Sequence, residues 1–133
     1  MASPALTVAP RTRRIFLVDD DIRTAKRLAS MLEEDGFVVE VMRDGSEAVA
    51  RMDRDPPPDA IVTDLVMLGM SGIAVLGAAR RRGQSIPVIF VTGHPQLLAR
   101  PPIPFEPSPI VFTKPVAYAD LRDRLNELLP EKA

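Results

Sequence analysis

The sequence predicts an α/β fold, a doubly wound five-stranded parallel sheet with helices on both faces. Three observations carry that reading. Five short runs are rich in β-branched and apolar residues, at 15–18, 38–42, 60–63, 88–91 and 110–112. Four of them are nearly continuous in hydrophobicity, which suits strands buried on both faces and not one-sided hairpins. The segments between them carry a helical period, and strands alternating with helices argue for parallel pairing through right-handed crossovers. At 133 residues the chain has room for one domain.

Taken in order, the elements justify themselves locally. After the first run, Ile22, Ala25, Leu28, Ala29 and Leu32 recur at three- and four-residue steps with charge opposite, and Gly36 ends that helix. A second, short helix is predicted from Ser46, its N-cap, to about Met52. A third runs from about Ser71 to Arg82 and stops at Gly83. The last covers about 118–129, with Leu121, Leu125 and Leu128 on one stripe and Pro130 closing it. Residues 1–12 read as a flexible lead-in, interrupted by Pro4 and Pro10, and residues 13–130 as the domain.

Between the fourth and fifth strands the pattern changes. Seven of the 14 prolines fall from Pro95 to Pro115, at 95, 101, 102, 104, 107, 109 and, just past the fifth strand, 115. Proline is tolerated in a first turn, so residues 95–99 are expected to form about one turn of helix. Arg100 precedes a proline and is pushed toward extended geometry. Each further proline inside a helix would cost about 3 kcal/mol. The expectation is therefore a fourth helix shortened or replaced by a proline-rich strap over 101–109, with Ile103 and Phe105 turned toward the sheet.

Composition narrows the function. Lys+Arg 17 against Asp+Glu 18 leaves a net charge of -1 and no basic field for nucleic acid. The absence of cysteine removes disulfides, thiolate metal sites and cysteine nucleophiles. One histidine, His94, cannot make a histidine-rich metal centre. No apolar run approaches the 18 or so residues of a membrane span. The first residues lack the apolar core of an export signal, so the cytoplasm is the expected compartment.

Ligands of such sheets bind at the carboxyl ends of the strands. The first run ends in Asp19-Asp20-Asp21, the third in Asp64, the fourth in Thr92-Gly93 and the fifth in Lys114-Pro115. Carboxylates from neighbouring strands repel unless a cation lies between them. Hard oxygen donors without His or Cys point to Mg²⁺ or Ca²⁺, and a sparse protein shell favours Mg²⁺. Lys114 offers a compact charge for a phosphoryl oxygen, and Thr92 a hydroxyl.

These residues resemble the receiver domain of bacterial two-component response regulators. The resemblance rests on Val18-Asp19-Asp20, on the run 58–67 containing Asp64, on Val91-Thr92-Gly93 and on Phe112-Thr113-Lys114-Pro115. It spans about residues 14–130 and implies the CheY-like strand order 2-1-3-4-5. It implies that Asp64 is the phosphoacceptor, and that Asp20, Asp64 and the backbone carbonyl of Val66 bind Mg²⁺, with Asp19 supporting the ion largely through water. Thr92 and Lys114 would contact the phosphoryl group, and the Lys114–Pro115 bond would be cis. A carboxylate can accept a phosphoryl group once it is aligned and its charge neutralised. The expected donor is a histidine kinase or histidine phosphotransfer protein, and the expected output is protein–protein contact with a downstream target.

Several features carry plainer readings. Asp21 is expected to serve only as a helix cap. The run Arg80-Arg81-Arg82 points three ways around a helix and suits a solvated C-terminus. His94 is assigned at most a tuning role, and Met67 and Met70 loop packing. Two positions depart from the family: Leu68 stands where a loop proline is usual, and Val111 where the switch aromatic is usual. The chain ends just past the last helix, so a single-domain form with no DNA-binding domain is expected, a signalling domain and not an enzyme in its own right. A pseudo-receiver used only for docking is the alternative.

Overall fold

The computed structural model describes residues 12–67, 70–83, 85–98 and 107–130. Its elements follow the predicted alternation: β1 (Arg14–Val18), α1 (Ile22–Glu34), β2 (Val38–Met42), α2 (Gly45–Met52), β3 (Ala60–Thr63), α3 (Gly72–Arg82), β4 (Val88–Thr92), β5 (Ile110–Thr113) and α4 (Tyr118–Leu128). A single 3-10 turn, Pro95–Leu98, follows β4. The five strands form one sheet in the order β2-β1-β3-β4-β5, and every pairing is parallel.

Side-chain alternation divides β1 between two cores. Phe16 and Val18 face one side with Ile61, Phe90, Met52 and Leu76, beneath α2 and α3. Ile15 and Leu17 face the other with Val62, Ile89, Leu32 and Leu121, beneath α1 and α4. The central strands β3 and β4 are buried along their whole length, whereas β5 at the edge alternates between half-buried and exposed. Full burial of one such aliphatic or aromatic side chain is worth about 1.5–3 kcal/mol. The two layers therefore hold the sheet from both sides.

Helix ends follow the chemistry of their caps. Asp21 caps α1, its carboxylate accepting from the Thr24 N–H, as expected for that residue. At the other end Gly36 takes a φ of 93°, a left-handed conformation that glycine adopts without a Cβ clash. The cap of α2 is not Ser46 but Asp44. Its carboxylate accepts from the Glu47 N–H at 2.8 Å and from the Ser46 hydroxyl at 2.7 Å. The stronger, charged acceptor two residues upstream wins, so the helix begins one residue early.

The arginine run at the end of α3 is solvated only in part. Arg81 and Arg82 are exposed, but Arg80 is buried and its guanidinium donates to the carbonyls of Pro107 and Ile86. The expected turn after β4 is present as the 3-10 turn. The strap expected at 101–109 lies largely outside the described residues, as do Ile103, Phe105, Leu68 and all but the last residue of the 1–12 lead-in. No helix of the described residues is long and apolar enough to cross a membrane.

Candidate functional site

Register brings the site together. Val18, the last residue of β1, pairs with Met42 and with Thr63. The ladder continues one step past it: the Asp19 N–H donates to the Met42 carbonyl and the Asp64 N–H to the Val18 carbonyl. Across the sheet, Thr92 pairs with Thr113, and the Lys114 N–H donates to the Thr92 carbonyl at 2.8 Å. Four strands thus deliver Asp19, Asp64, Thr92 and Lys114 to one edge. Parallel pairing makes this unavoidable, because every strand ends on the same side.

Asp64 is held from three directions. Its Oδ1 accepts from the Leu65 N–H at 2.8 Å, its Oδ2 from the Lys114 ammonium at 3.0 Å, and its main-chain carbonyl from the Thr63 hydroxyl at 2.8 Å. Its side chain is 12% exposed and that of Lys114 38%. One carboxylate oxygen from each of Asp19, Asp20 and Asp64 can lie within 4.8 Å of the others. Val66, the other expected metal contributor, sits two residues past Asp64 in the same loop and is largely exposed.

Electrostatics follow from this crowding. Burial pushes the Asp19 carboxyl above its ordinary value; the Asp21 N–H and Lys114 oppose that shift, and Asp64 and Asp20 add to it. Burial alone would lower the Lys114 pKa, but the hydrogen bond and charge of Asp64, with Asp19 and Asp20 behind it, raise it overall. Lys114 is a committed cation. A cluster of three carboxylates with one ammonium remains net negative, and a divalent cation is the natural complement.

Thr92 is fully buried, and its Oγ1 accepts from the His94 N–H at 2.9 Å, which orients the hydroxyl within the loop. The His94 side chain is exposed. Met67 is buried as loop packing, whereas Met70 is exposed. The Lys114–Pro115 bond is cis, as the resemblance implied, and so is Asp55–Pro56. Val111 on β5 is 40% exposed, so the position of the usual aromatic is a short, open side chain.

The sequence reading gave no role to Arg13 or Tyr118, yet both join α1 to α4. Arg13 is 2% exposed. Its guanidinium donates to the Asn126 side chain and to the Asp35 and Leu129 carbonyls, and it stacks on Phe37. The only available signal was an arginine directly before an apolar strand, which reads equally well as a solvated flank.

Comparison with known proteins agrees with the geometry. Residues 15–126 match the response regulator receiver domain. The chain is 30% identical over 116 residues to the transcriptional regulatory protein TrcR of Mycobacterium tuberculosis, covering 87% of this chain and 45% of TrcR. It is 32% identical over 116 residues to the response regulator MprA of Mycobacterium leprae, covering 87% and 50%. The chain therefore spans about half the length of these relatives. Among solved structures, a response regulator receiver protein from Sinorhizobium medicae superposes with a TM-score of 0.80 at 26% identity, covering 90% of this chain and 95% of that one. The response regulator TrrA of Thermotoga maritima, solved in complex with Mg²⁺-BeF, shares the fold with a TM-score of 0.76 at 23% identity, covering 89% and 100%. Fold, sheet order and sequence converge: the chain belongs to the response regulator receiver domain family.

Proposed function

We propose that the chain accepts a phosphoryl group on Asp64, in a Mg²⁺-dependent reaction, from a histidine kinase or histidine phosphotransfer protein, and signals by protein–protein contact. The observation that carries this is the Asp64 carboxylate at 3.0 Å from Lys114, inside the same cluster as Asp19 and Asp20. The donor set fits Mg²⁺: hard oxygens only, supplied by Asp20, Asp64 and the Val66 carbonyl, with Asp19 in support. When bound, the ion would neutralise phosphoryl oxygens during transfer. The chain's own residues do the rest. Leu65 N–H and Lys114 fix the Asp64 carboxylate, Lys114 meets the phosphoryl charge, and Thr92 turns its hydroxyl toward the new group.

A phosphoryl group adds roughly −2 charge at one point, enough to draw in the Thr92 loop. A docking-only role gives no reason for an ammonium paired to Asp64 within a three-carboxylate cluster, so the phosphoacceptor reading is preferred. The test is Mg²⁺ and beryllofluoride added to the isotope-labelled chain. Saturable shifts at Asp19, Asp20, Asp64 and Thr92, absent without Mg²⁺, are expected. No shift at these residues would refute the reading.

A further inference from the structure

The loop between β3 and α3 carries the Val66 carbonyl, and its contacts show what seats it. At its start the Leu65 N–H donates to Asp64 Oδ1 at 2.8 Å, and the Leu65 carbonyl accepts from the Gly72 N–H at 2.9 Å. The Val66 side chain that follows is 48% exposed. It packs against too little to fix its own backbone, so the placing of its carbonyl depends on its neighbours. Met67 turns inward instead, into the core cluster that holds Ala48 and Met52 of α2.

Further on, the loop meets α2 again, backbone to backbone. Gly45 is the first residue of α2 and is buried. A Cβ built on it would collide with the Met70 carbonyl oxygen and stand 2.8 Å from the Met70 Cβ and 2.9 Å from its carbonyl carbon. Chain conformation does not call for glycine at this position: among the described residues, only Gly36 has a positive φ. The missing side chain is needed for the approach itself. Asp44 holds the same helix end in place, its carboxylate accepting from the Glu47 N–H at 2.8 Å and the Ser46 hydroxyl at 2.7 Å. A carbonyl oxygen brought to this end also complements the positive end of the helix dipole.

We propose that Gly45 is a positioning residue for the metal site: its bare Cα lets α2 seat the β3–α3 loop so that the Val66 carbonyl is available to the ion. This role rests on the Mg²⁺-dependent reading of the Asp64 cluster and goes beyond it, because α2 contributes no residue to that cluster yet sets the ion's affinity. Asp64 and Lys114 are held by the sheet edge and by each other. A shifted loop therefore costs metal affinity and leaves the phosphoacceptor in place.

The test is a Mg²⁺ titration of the whole chain, followed by the amide shifts of Asp19, Asp20 and Asp64, with urea midpoints measured alongside. Gly45→Ala should raise the half-saturating Mg²⁺ concentration about tenfold, the lower end of the loss that follows removal of a ligand-orienting contact. At saturating Mg²⁺ its beryllofluoride-induced shifts should match those of the parent. A contact that only held the fold together would lower the urea midpoint and leave half-saturation unchanged. Asp44→Ala frays the same helix end without adding an atom and should weaken Mg²⁺ binding severalfold. Asp44→Asn keeps the cap acceptor without the charge and should bind as the parent does. That pair decides the matter even where Gly45→Ala does not fold. A parent that binds Mg²⁺, beside a Gly45→Ala or Asp44→Ala that binds it equally well, would overturn the positioning role alone, as would Asp44→Asn as weak as Asp44→Ala. A parent without Mg²⁺ shifts would overturn the metal reading on which the role rests.

Discussion

Gly72 opens α3 directly beneath the site, and replacing it with alanine tests how the fold fixes Asp64. Its N–H donates to the Leu65 carbonyl at 2.9 Å. A Cβ there would stand 2.5 Å from the Asp64 carbonyl oxygen, 2.7 Å from the Phe90 ring and 3.0 Å from the Leu65 Cα. Two of these neighbours are backbone and cannot rotate away. Overpacking of this kind costs about 1–3 kcal/mol, and rigid neighbours place it at the upper end. Restricting the unfolded chain returns about 0.4–1 kcal/mol, so Gly72→Ala should destabilise by roughly 2 kcal/mol. With a urea slope of about 1–3 kcal/mol/M, the midpoint should fall by roughly 1 M at unchanged slope. Because the displaced atom belongs to Asp64, Mg²⁺-dependent beryllofluoride binding should weaken as well. Gly93 is the internal control, since a Cβ there meets nothing within 4 Å. Gly93→Ala should be neutral or slightly stabilising. A Gly72→Ala variant as stable as the parent, or equal losses in the two variants, would refute the packing argument.

Lys114→Ala should cut phosphorylation by a small donor severalfold or more, because the ammonium 3.0 Å from Asp64 is lost; labelling kinetics by mass spectrometry check this. Thr92→Ala should keep labelling measurable but shrink the phosphate-induced amide shifts along β4 and β5, since the buried hydroxyl in the Thr92 loop is gone. Glu40 accepts from Arg51 at 2.8 and 2.9 Å and from Arg14 at 2.9 Å, and the Arg51 bonds lead in holding its carboxyl below the usual range. Its folded pKa lies below its unfolded value, so its stabilisation is complete above the unfolded carboxylate range and is lost as pH falls through the folded value. Glu40→Gln should therefore cost on the order of 1 kcal/mol at neutral pH and flatten the acid limb of a stability-versus-pH curve.

Much of this was legible in the residues, for physical reasons. The five strands stand out because central parallel strands must be apolar on both faces, and their ends name the site because parallel ladders finish on one edge. Asp19, Asp64, Thr92 and Lys114 are where that logic places them. The α2 cap was misread because Asp44 and Ser46 are both competent caps, and only three-dimensional placement chooses between them. Arg80 was misread for a related reason. A basic residue at a helix end looks solvated until a distant carbonyl, here Pro107, arrives to accept from it. Arg13 and Tyr118 act across more than 80 residues of chain, through contacts that periodicity does not encode.

The central claim, covalent phosphorylation of Asp64, is tested most directly by intact-mass measurement after incubation with Mg²⁺ and acetyl phosphate. The parent chain should gain a single phosphate that is lost on removal of the donor, and Asp64→Asn should gain none. A phosphate adduct on Asp64→Asn, or an unmodified parent across several small donors, would contradict the account.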